Sequence, residues 1–290
     1  MLVSSPYYYL GGKAPLINLS APMYHSFEIA AYGVESREDK SERARETYLV
    51  DGKQLSADQC LALFGAMPLF DRQIKVLERI EGDVVIDIGC YTGAFVREAS
   101  RRFPDKTVIG VDYFEDNIRI AHLLYPDIRD RFQKMSIYRL EIADGSVDCV
   151  TLQEVLEHLE GAALAVKEVN RILKQGGALI VSVPNPFCVW RMTKFVWLEL
   201  GNALRRWCGR SPRLGAEVLS DIEWDRHVYA WTPQTLLALL AGNGFEYVEH
   251  CYETGVRDRL RRWFLTALPF FGPTQILKVR KVAPASPALV

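Results

Sequence analysis

Two glycines and an aspartate have the types and spacing of a ribose-binding turn. Residues 84–95 read as a β-branched strand that breaks at Gly89 and Gly93 and then passes into a helical pattern. Glycines adopt backbone conformations that other residues avoid, and without side chains they let a ligand approach the main chain closely. Asp112 ends the next β-branched strand, nineteen residues beyond Gly93, which is the spacing at which a carboxylate accepts hydrogen bonds from a ribose diol. The sequence therefore predicts a small ligand that carries a ribose.

The spacing of the glycines argues against a dinucleotide. In a Gly-x-Gly-x-x-Gly fingerprint the second glycine stands where pyrophosphate touches the backbone. Here the turn from Gly89 to Gly93 is Gly-x-x-x-Gly, and the bulky Tyr91 stands in its middle. A dinucleotide-dependent oxidoreductase is therefore disfavoured.

Several motifs along the chain resemble those of the class I S-adenosylmethionine-dependent methyltransferases. Residues 87–93 are similar to the family's first motif, in which Tyr91 replaces the usual middle glycine. Residues 140–150 resemble its Leu-Pro-Phe-Pro-Asp-Gly-Ser-Phe-Asp-Val-Val segment, and residues 154–159 match its Glu-Val-Leu-Glu-His-Leu signature outright. Ordered motifs of this kind span about residues 70 to 282, so the chain is identified as a member of the family. The resemblance implies S-adenosylmethionine as the cofactor.

Composition and charge narrow the protein class. The chain has 290 residues, 49% of them hydrophobic, which suits one enlarged domain rather than two independent ones. The formal net charge of −1 provides no overall field that attracts nucleic acid. The six cysteines contain no Cys-x-x-Cys pair, which favours reduced thiols in a cytoplasmic protein over a disulfide frame or a zinc site. Neither a secretion signal nor a run of roughly 18 apolar residues is recognised.

Alternating strand and helix patterns predict an α/β fold. The β-like runs at 84–88, 107–112, 147–152 and 178–183 alternate with helical patterns at 94–102, 115–124 and 161–174. This order is typical of βαβ units and a parallel sheet. Three weaker or later strands are expected near 132–138, at 245–251 and at 275–282. The family resemblance implies a Rossmann-like, doubly wound sheet of seven mostly parallel strands, with the last strand antiparallel.

The remaining segments are predicted to surround that sheet. Residues 1–55 are expected to form an N-terminal extension, and residues 56–290 the methyltransferase domain. Within this domain, residues 187–226 form an insertion that we expect to be a helical lid. The sheet is occupied with the cofactor, so substrate choice should lie in the insertion, in the extension and in residues 256–273.

Residues that follow each strand are the candidate cofactor site, because ligands of an open parallel sheet bind beyond the carboxyl ends of its strands. By resemblance, Asp112 would hold the ribose, Tyr113 would pack on adenine, and the main chain of Ser136 and Ile137 would read the adenine edge. Asn117 is expected to cap its helix or to face the ribose. The full predicted set is Asp87, Gly89, Cys90, Tyr91, Gly93, Asp112, Tyr113, Asn117, Ser136, Ile137, Gln153 and Glu154. Asp87 is expected near the methionine moiety or as a structural cap of the glycine turn.

Methyl transfer from a sulfonium is an in-line displacement, so the enzyme mainly has to align a nucleophile with the methyl carbon. The reaction needs no metal, but a hydroxyl acceptor gains from a base, usually histidine. His227 is the first candidate, since it ends the insertion beside acidic residues. His158 belongs to the Glu-Val-Leu-Glu-His-Leu motif and is the second candidate, although it is expected mainly to shape the cofactor pocket. The other histidines favour structural roles.

Aromatic and basic residues alternate in the insertion and again in residues 256–273. In the insertion they are Trp190, Arg191, Lys194, Phe195, Trp197, Leu198, Leu200, Leu204, Arg205, Arg206 and Trp207. Such a combination suits a membrane surface or a lipid-linked, anionic acceptor, while a lid packed over the core is the alternative.

The sequence thus predicts O-methylation of a small molecule, sugar or lipid-linked glycan by a cytoplasmic enzyme. For the apolar and basic helices a lid packed over the core is the favoured interpretation, and peripheral membrane contact is the alternative. A quinone or isoprenoid ring, transfer to nitrogen and a non-catalytic cofactor-binding module are the alternatives. Departures from the family pattern at Tyr91, Ser136 and Gln175 point mildly toward the last of these.

Overall fold

The computed structural model describes residues 25–27, 47–50, 52–65, 67–212, 228–255 and 259–282. The strands are β1 (His25–Phe27), β2 (Tyr48–Val50), β3 (Gly52–Leu55), β4 (Val84–Ile88), β5 (Thr107–Asp112), β6 (Phe132–Lys134), β7 (Val147–Gln153), β8 (Leu173–Pro184), β9 (Phe245–Tyr252) and β10 (Thr274–Lys281). The helices are α1 (Ala57–Phe64), α2 (Asp71–Leu77), α3 (Ala94–Arg102), α4 (Glu115–Leu124), α5 (Ala162–Ile172), α6 (Val189–Trp207), α7 (Pro233–Ala241) and α8 (Arg259–Ala267). Short 3-10 helices lie at Pro126–Arg131, Leu156–His158 and Pro269–Phe271.

A seven-stranded sheet in the order β6-β5-β4-β7-β8-β10-β9 forms the centre of the molecule. Strands β4 to β8 pair in parallel, and β10 is antiparallel to both of its neighbours, β8 and β9. The predicted α/β, Rossmann-like sheet with an antiparallel last strand is therefore confirmed. The carboxyl ends of the parallel strands meet at one edge, where the predicted site residues lie.

Both faces of the sheet are covered by helices, as its apolar strands require. On one face Val85 and Ile180 pack in a buried cluster with Phe95 of α3. On the other face Val150 and Val181 belong to a cluster that includes residues of α5 and α7. This doubly wound arrangement buries the sheet and leaves its carboxyl edge as the place where polar side chains collect.

Local signals account for most element boundaries. Ser56 caps α1, because its hydroxyl accepts from the Gln59 N–H while the Gln59 side chain accepts from the Ser56 N–H. Thr232 caps α7 in the same manner, with Pro233 in the first turn. Two predicted bounds were wrong. The third strand is only Phe132–Lys134, and α5 ends at Ile172 because the chain from Leu173 onward already pairs with β7.

The segments around the central sheet are partly described. Strands β1, β3 and β2 form a separate three-stranded sheet, and Tyr48 and Val50 share a buried cluster with Ile120 of α4. Of the insertion, the described part is dominated by α6, and residues 213–227 lie outside the described residues, as do residues 1–24 and 28–46. No helix within the described ranges is long and apolar enough to cross a membrane.

Candidate active site

The glycine turn is held against the neighbouring strands by main-chain bonds and by close packing. The N–H groups of Gly89 and Cys90 both donate to the Val111 carbonyl oxygen, at 2.8 and 3.1 Å. Gly89 has a φ of 78° and Gly93 a φ of 86°. A Cβ at Gly89 would lie 2.5 Å from Val155 Cγ2. Conformation and space thus both require glycine here.

Tyr91 has a backbone conformation that glycine adopts at less cost. Its φ is 52°, in the left-handed region that side chains rarely adopt. Its ring packs edge-on against Phe64 at 5.7 Å, and its N–H donates to Asp112 Oδ2 at 2.9 Å. The residue that departs from the family pattern is therefore held by contacts with both Phe64 and Asp112.

Asp112 links the turn to helix α4. Its side chain is buried, and Oδ1 accepts from the Phe114 N–H at 2.9 Å and from Asn117 Nδ2 at 3.1 Å. Burial raises the pKa of Asp112 to about 6, against the hydrogen bonds from Phe114, Tyr91 and Asn117, which lower it. The expectation that Asn117 caps its helix was wrong. Phe114 is at the N-cap position, and the Asn117 amide instead holds Asp112.

A pocket of about 320 Å³ opens beside Asp112 at the carboxyl ends of β5 and β6. Its lining consists of Tyr113, Lys134, Met135, Ser136, Arg139 and Glu141. The Tyr113 side chain is 65% exposed, so its ring is free to be covered by a planar ligand. Ile137 does not line the pocket, since its side chain is buried in the core. Lys134, Met135, Arg139 and Glu141 were missed, although their position at the end of the third strand and directly beyond it was a usable signal.

Asp87 lies in a polar row on β4 and β7. Its Oδ1 accepts from Thr151 Oγ1 at 2.5 Å and from Gln153 Nε2 at 3.0 Å. Burial raises the pKa of Asp87 to about 6, the two hydrogen bonds lower it, and the charge of Asp112 raises it further. The bonds to β7 place Asp87 within the sheet, and they give no support to a cap of the glycine turn. Gln153 Oε1 is buried and accepts no hydrogen bond from the described residues.

Glu154 follows β7 and has a left-handed backbone conformation. Its φ is 56°, and its N–H donates to the Ser182 carbonyl oxygen at 2.9 Å. Burial raises the pKa of Glu154, against the charges of Arg72 and Arg191, which lower it. The next residue, Val155, is the one that contacts Gly89. This segment thus joins the cofactor turn to a second group of buried charges.

Of the two candidate bases, His158 lies among the described residues. His158 ends the 3-10 helix Leu156–His158, and its Nε2 lies 3.9 Å from Glu157 Oε1. His227 lies outside the described residues. The residue that follows it, Val228, donates its N–H to the Glu157 carbonyl oxygen at 2.7 Å. Among the described residues no cluster of histidine, cysteine and acidic side chains could hold a metal ion.

Helices α6 and α8 contact each other through Trp190. Its ring lies 6.4 Å from Phe264, and the Arg261 guanidinium stacks 4.8 Å from its centroid. Most other large apolar side chains of the two helices are exposed, among them Phe195, Val196, Trp197, Leu200, Leu204, Trp207, Leu260 and Trp263. In α6 the only buried residue is Asn202. The described part of the insertion is therefore a largely exposed helix.

Comparison with known proteins gives consistent matches. A family described as "Methyltransferase domain" matches residues 86–181. A probable S-adenosylmethionine-dependent methyltransferase of Mycolicibacterium smegmatis is 33% identical over 114 residues, which are 38% of this chain and 42% of that protein. A ubiquinone biosynthesis O-methyltransferase of Alkalilimnicola ehrlichii is 30% identical over 131 residues, 44% of this chain and 52% of that protein. The matched part thus spans about half the length of these relatives.

The fold is shared with a solved structure. A methyltransferase from Methanosarcina mazei, described as S-adenosylmethionine-dependent, superposes with a TM-score of 0.51 at 17% identity. The match covers 75% of this chain and 100% of that one. At this identity the likeness concerns the fold alone.

Proposed function

We infer the function from one premise, that the chain belongs to the class I S-adenosylmethionine-dependent methyltransferases. We propose that the whole protein transfers a methyl group from S-adenosylmethionine to an acceptor. The observation that supports this most is the glycine turn from Gly89 to Gly93, which the buried Asp112 carboxylate holds through the Tyr91 N–H. The turn and the carboxylate stand together at the carboxyl edge of the sheet, where a ribose-bearing ligand binds.

The residues present suit this cofactor, which supplies an electrophilic methyl group when bound. Asp112 would accept from the ribose hydroxyls, and the exposed Tyr113 ring would cover adenine in the adjoining pocket. Ser136 lines that pocket, and the Ile137 main chain is assigned to the adenine edge. Asn117 acts through Asp112, which it holds in place. The pocket lining mixes charged, polar and apolar groups, as a purine with polar edges requires.

The methionine end of the cofactor is assigned to the other side of the turn. Asp87 and Gln153 stand there with buried oxygens, and Gln153 Oε1 accepts nothing from the described residues. Glu154 is assigned to the cofactor through its main chain. An ammonium group would meet this need, because it only donates hydrogen bonds. Cys90 contributes its main chain, since burial raises the pKa of its thiol well above the usual range and keeps it neutral.

For the acceptor we propose an oxygen atom of a small molecule, sugar or lipid-linked glycan. The similarity to ubiquinone biosynthesis O-methyltransferases over 44% of the chain supports transfer to oxygen and keeps a quinone-type ring as the main alternative. Proton removal is assigned to His227, with His158 as the second candidate.

Labelled S-adenosylmethionine tests the proposal directly. Transfer of label is measured against a panel of phenols, amines, sugars and lipid-linked glycans, with calorimetry of cofactor binding in parallel. We expect S-adenosylmethionine and S-adenosylhomocysteine to bind and at least one hydroxyl acceptor to take up label. Tighter binding of a nicotinamide dinucleotide would contradict the assignment, and binding without transfer to any acceptor would indicate a non-catalytic module.

We further propose that the exposed apolar side chains of α6 and α8, with their arginines and lysines, contact an anionic membrane surface. Trp197 is 74% exposed, Trp207 86% and Trp263 74%. Helix α6 carries four basic residues and one acidic residue, Glu199. Apolar burial and attraction to anionic headgroups act together in such a face. A membrane contact of these two helices would bring a lipid-linked acceptor to the cofactor.

Sedimentation with vesicles that contain anionic lipid tests the membrane contact. The double variant Trp197→Ser, Trp207→Ser should bind less than the parent, and high salt should weaken binding of the parent. Tyr247→Ser is the matched control, because this aromatic residue is 52% exposed on edge strand β9. Absence of binding at low salt would show that the two helices do not serve as a membrane face.

A further inference from the structure

A buried carboxylate without a hydrogen-bond partner lies just beyond the cofactor turn. Glu157 is only 1% exposed, and neither of its carboxylate oxygens accepts a hydrogen bond from another described residue. The ring nitrogen of His158 lies 3.9 Å from Oε1, which is beyond hydrogen-bond distance. A buried charged group is costly unless it is paired and hydrogen-bonded. Glu157 therefore has the environment of a side chain that binds a ligand.

A strained residue lies beside it. Glu154 has a φ of 56°, one of two positive values among the described residues that are not glycine. Such backbone strain persists where the surrounding structure imposes it, and it clusters at functional sites. Its Oε1 is also buried without a partner. Because Val155 packs against Gly89, the two glutamates lie next to the turn that is assigned to the cofactor.

Burial and the neighbouring charges act on the pKa values of the pair in opposite directions. Burial raises the pKa of Glu157 well above the usual range and the charge of Glu154 raises it further, while Arg191 and Arg72 lower it. Burial also raises the pKa of Glu154. A raised pKa favours the protonated form of a carboxyl group. Because the charge of Glu154 raises the pKa of Glu157, a pair that carries one proton is the favoured state. One then donates a hydrogen bond and the other accepts one, which is the complement of a hydroxyl group, whereas an ammonium group only donates.

We propose that Glu154 and Glu157 bind the hydroxyl group of the methyl acceptor and receive its proton. The inference rests on the proposed methyl transfer. The acceptor oxygen forms the new bond to the methyl carbon, and the carbon–sulfur bond breaks with its electron pair left on sulfur, which yields S-adenosylhomocysteine. The hydroxyl proton passes to the ionised carboxylate of the pair. In this assignment the carboxylate pair takes the proton first, and the proposed histidine bases, His227 and His158, take it from the pair.

The variants Glu157→Gln and Glu157→Leu test this assignment, with Glu160→Gln as the matched control. Glu160 is an exposed glutamate three residues away. Removal of an unpartnered buried carboxyl group should raise the melting temperature of the ligand-free protein by about 2–4 °C. Cofactor affinity should not change, and transfer to the best hydroxyl acceptor of the panel should fall at least about 10²-fold. The control should change neither quantity.

Three results would overturn the assignment. A lower melting temperature in both Glu157 variants would show that the carboxylate is paired within the protein, and turnover within about threefold of the parent would show that it does not handle the acceptor. If the panel reveals an amine acceptor and no hydroxyl acceptor, the hydroxyl assignment is wrong. Failure of the parent to bind or use S-adenosylmethionine refutes the proposed function instead, and the melting temperatures still decide whether Glu157 is partnered.

Discussion

Replacement of Asp112 by alanine is the sharpest test of the cofactor site, because this carboxylate has two roles that respond differently. It accepts from the N–H groups of Tyr91 and Phe114 and from Asn117 Nδ2, so it holds the glycine turn and helix α4. It is also assigned to the ribose diol. Stability reports the first role and cofactor affinity the second.

The effect on stability should be modest. The variant leaves two part-buried main-chain N–H groups without their acceptor, at no more than roughly 1–3 kcal/mol each. It also removes a buried charge whose pKa is raised from 3.8 to about 6, and a shift of about two units corresponds to about 3 kcal/mol at neutral pH. These terms largely offset each other. We therefore expect Asp112→Ala to lower the free energy of unfolding by about 0–3 kcal/mol.

Asp112→Ala should weaken cofactor binding clearly. Charge-assisted hydrogen bonds from the ribose are worth roughly 1.5–3 kcal/mol, which is about a 10- to 150-fold loss of affinity. Calorimetry with S-adenosylmethionine and S-adenosylhomocysteine measures this loss, and thermal melting measures the stability change. Asp105→Ala is the control, because Asp105 is an exposed carboxylate before the opposite end of β5. Unchanged affinity in a folded Asp112→Ala protein would refute the assignment of the ribose to this residue.

Three further predictions concern the turn, the acidity of the site and the base. Gly93→Ala should destabilise the fold and abolish cofactor binding, because the new Cβ would lie 2.5 Å from the Phe132 ring. Gly145→Ala is the control: Gly145 has a φ of 60° and open space around it, so thermal melts should show only the smaller cost of backbone strain. The pKa values of Asp87 and Asp112 are both raised to about 6 in the folded protein, so the ligand-free protein should become more stable as the pH falls from about 7 toward 4. Cofactor affinity should weaken below about pH 6, since protonated carboxyl groups accept less well from the ligand. Melting temperatures and binding constants that do not change across this range would contradict the reasoning. His227→Ala should lower the rate of methyl transfer and leave cofactor binding nearly intact, and activity within about threefold of the parent would exclude a base worth roughly 10² at that position.

The order of motifs along the chain was sufficient to predict the central fold. Strand patterns of period two and helical patterns of period 3.6 are local properties, so β4, β5 and β7 and the helices between them were predictable from composition and spacing. The turn at Gly89 and Gly93 was predictable for the same reason, because only glycine tolerates that conformation at low cost. The family resemblance then implied the antiparallel last strand, which local patterns alone do not fix.

Only the tertiary structure decided how the side chains of the site are arranged. Asn117 was expected to cap a helix, but the approach of α4 to β5 places its amide on Asp112. Tyr91 looked like a disruption of the turn, yet packing against Phe64 accompanies its left-handed conformation.

The buried charges illustrate the same limit. Arg72, Glu157 and Arg191 lie far apart in sequence, and no local pattern predicts that α2, the segment after β7 and α6 bring them together around Glu154. Likewise, the alternation of aromatic and basic residues in α6 predicted an amphipathic helix without deciding whether it packs on the core or faces outward. Burial depends on which surfaces meet after the sheet has assembled, and this is set by long-range packing, whereas the periodicity of a single segment determines only which face of it is apolar.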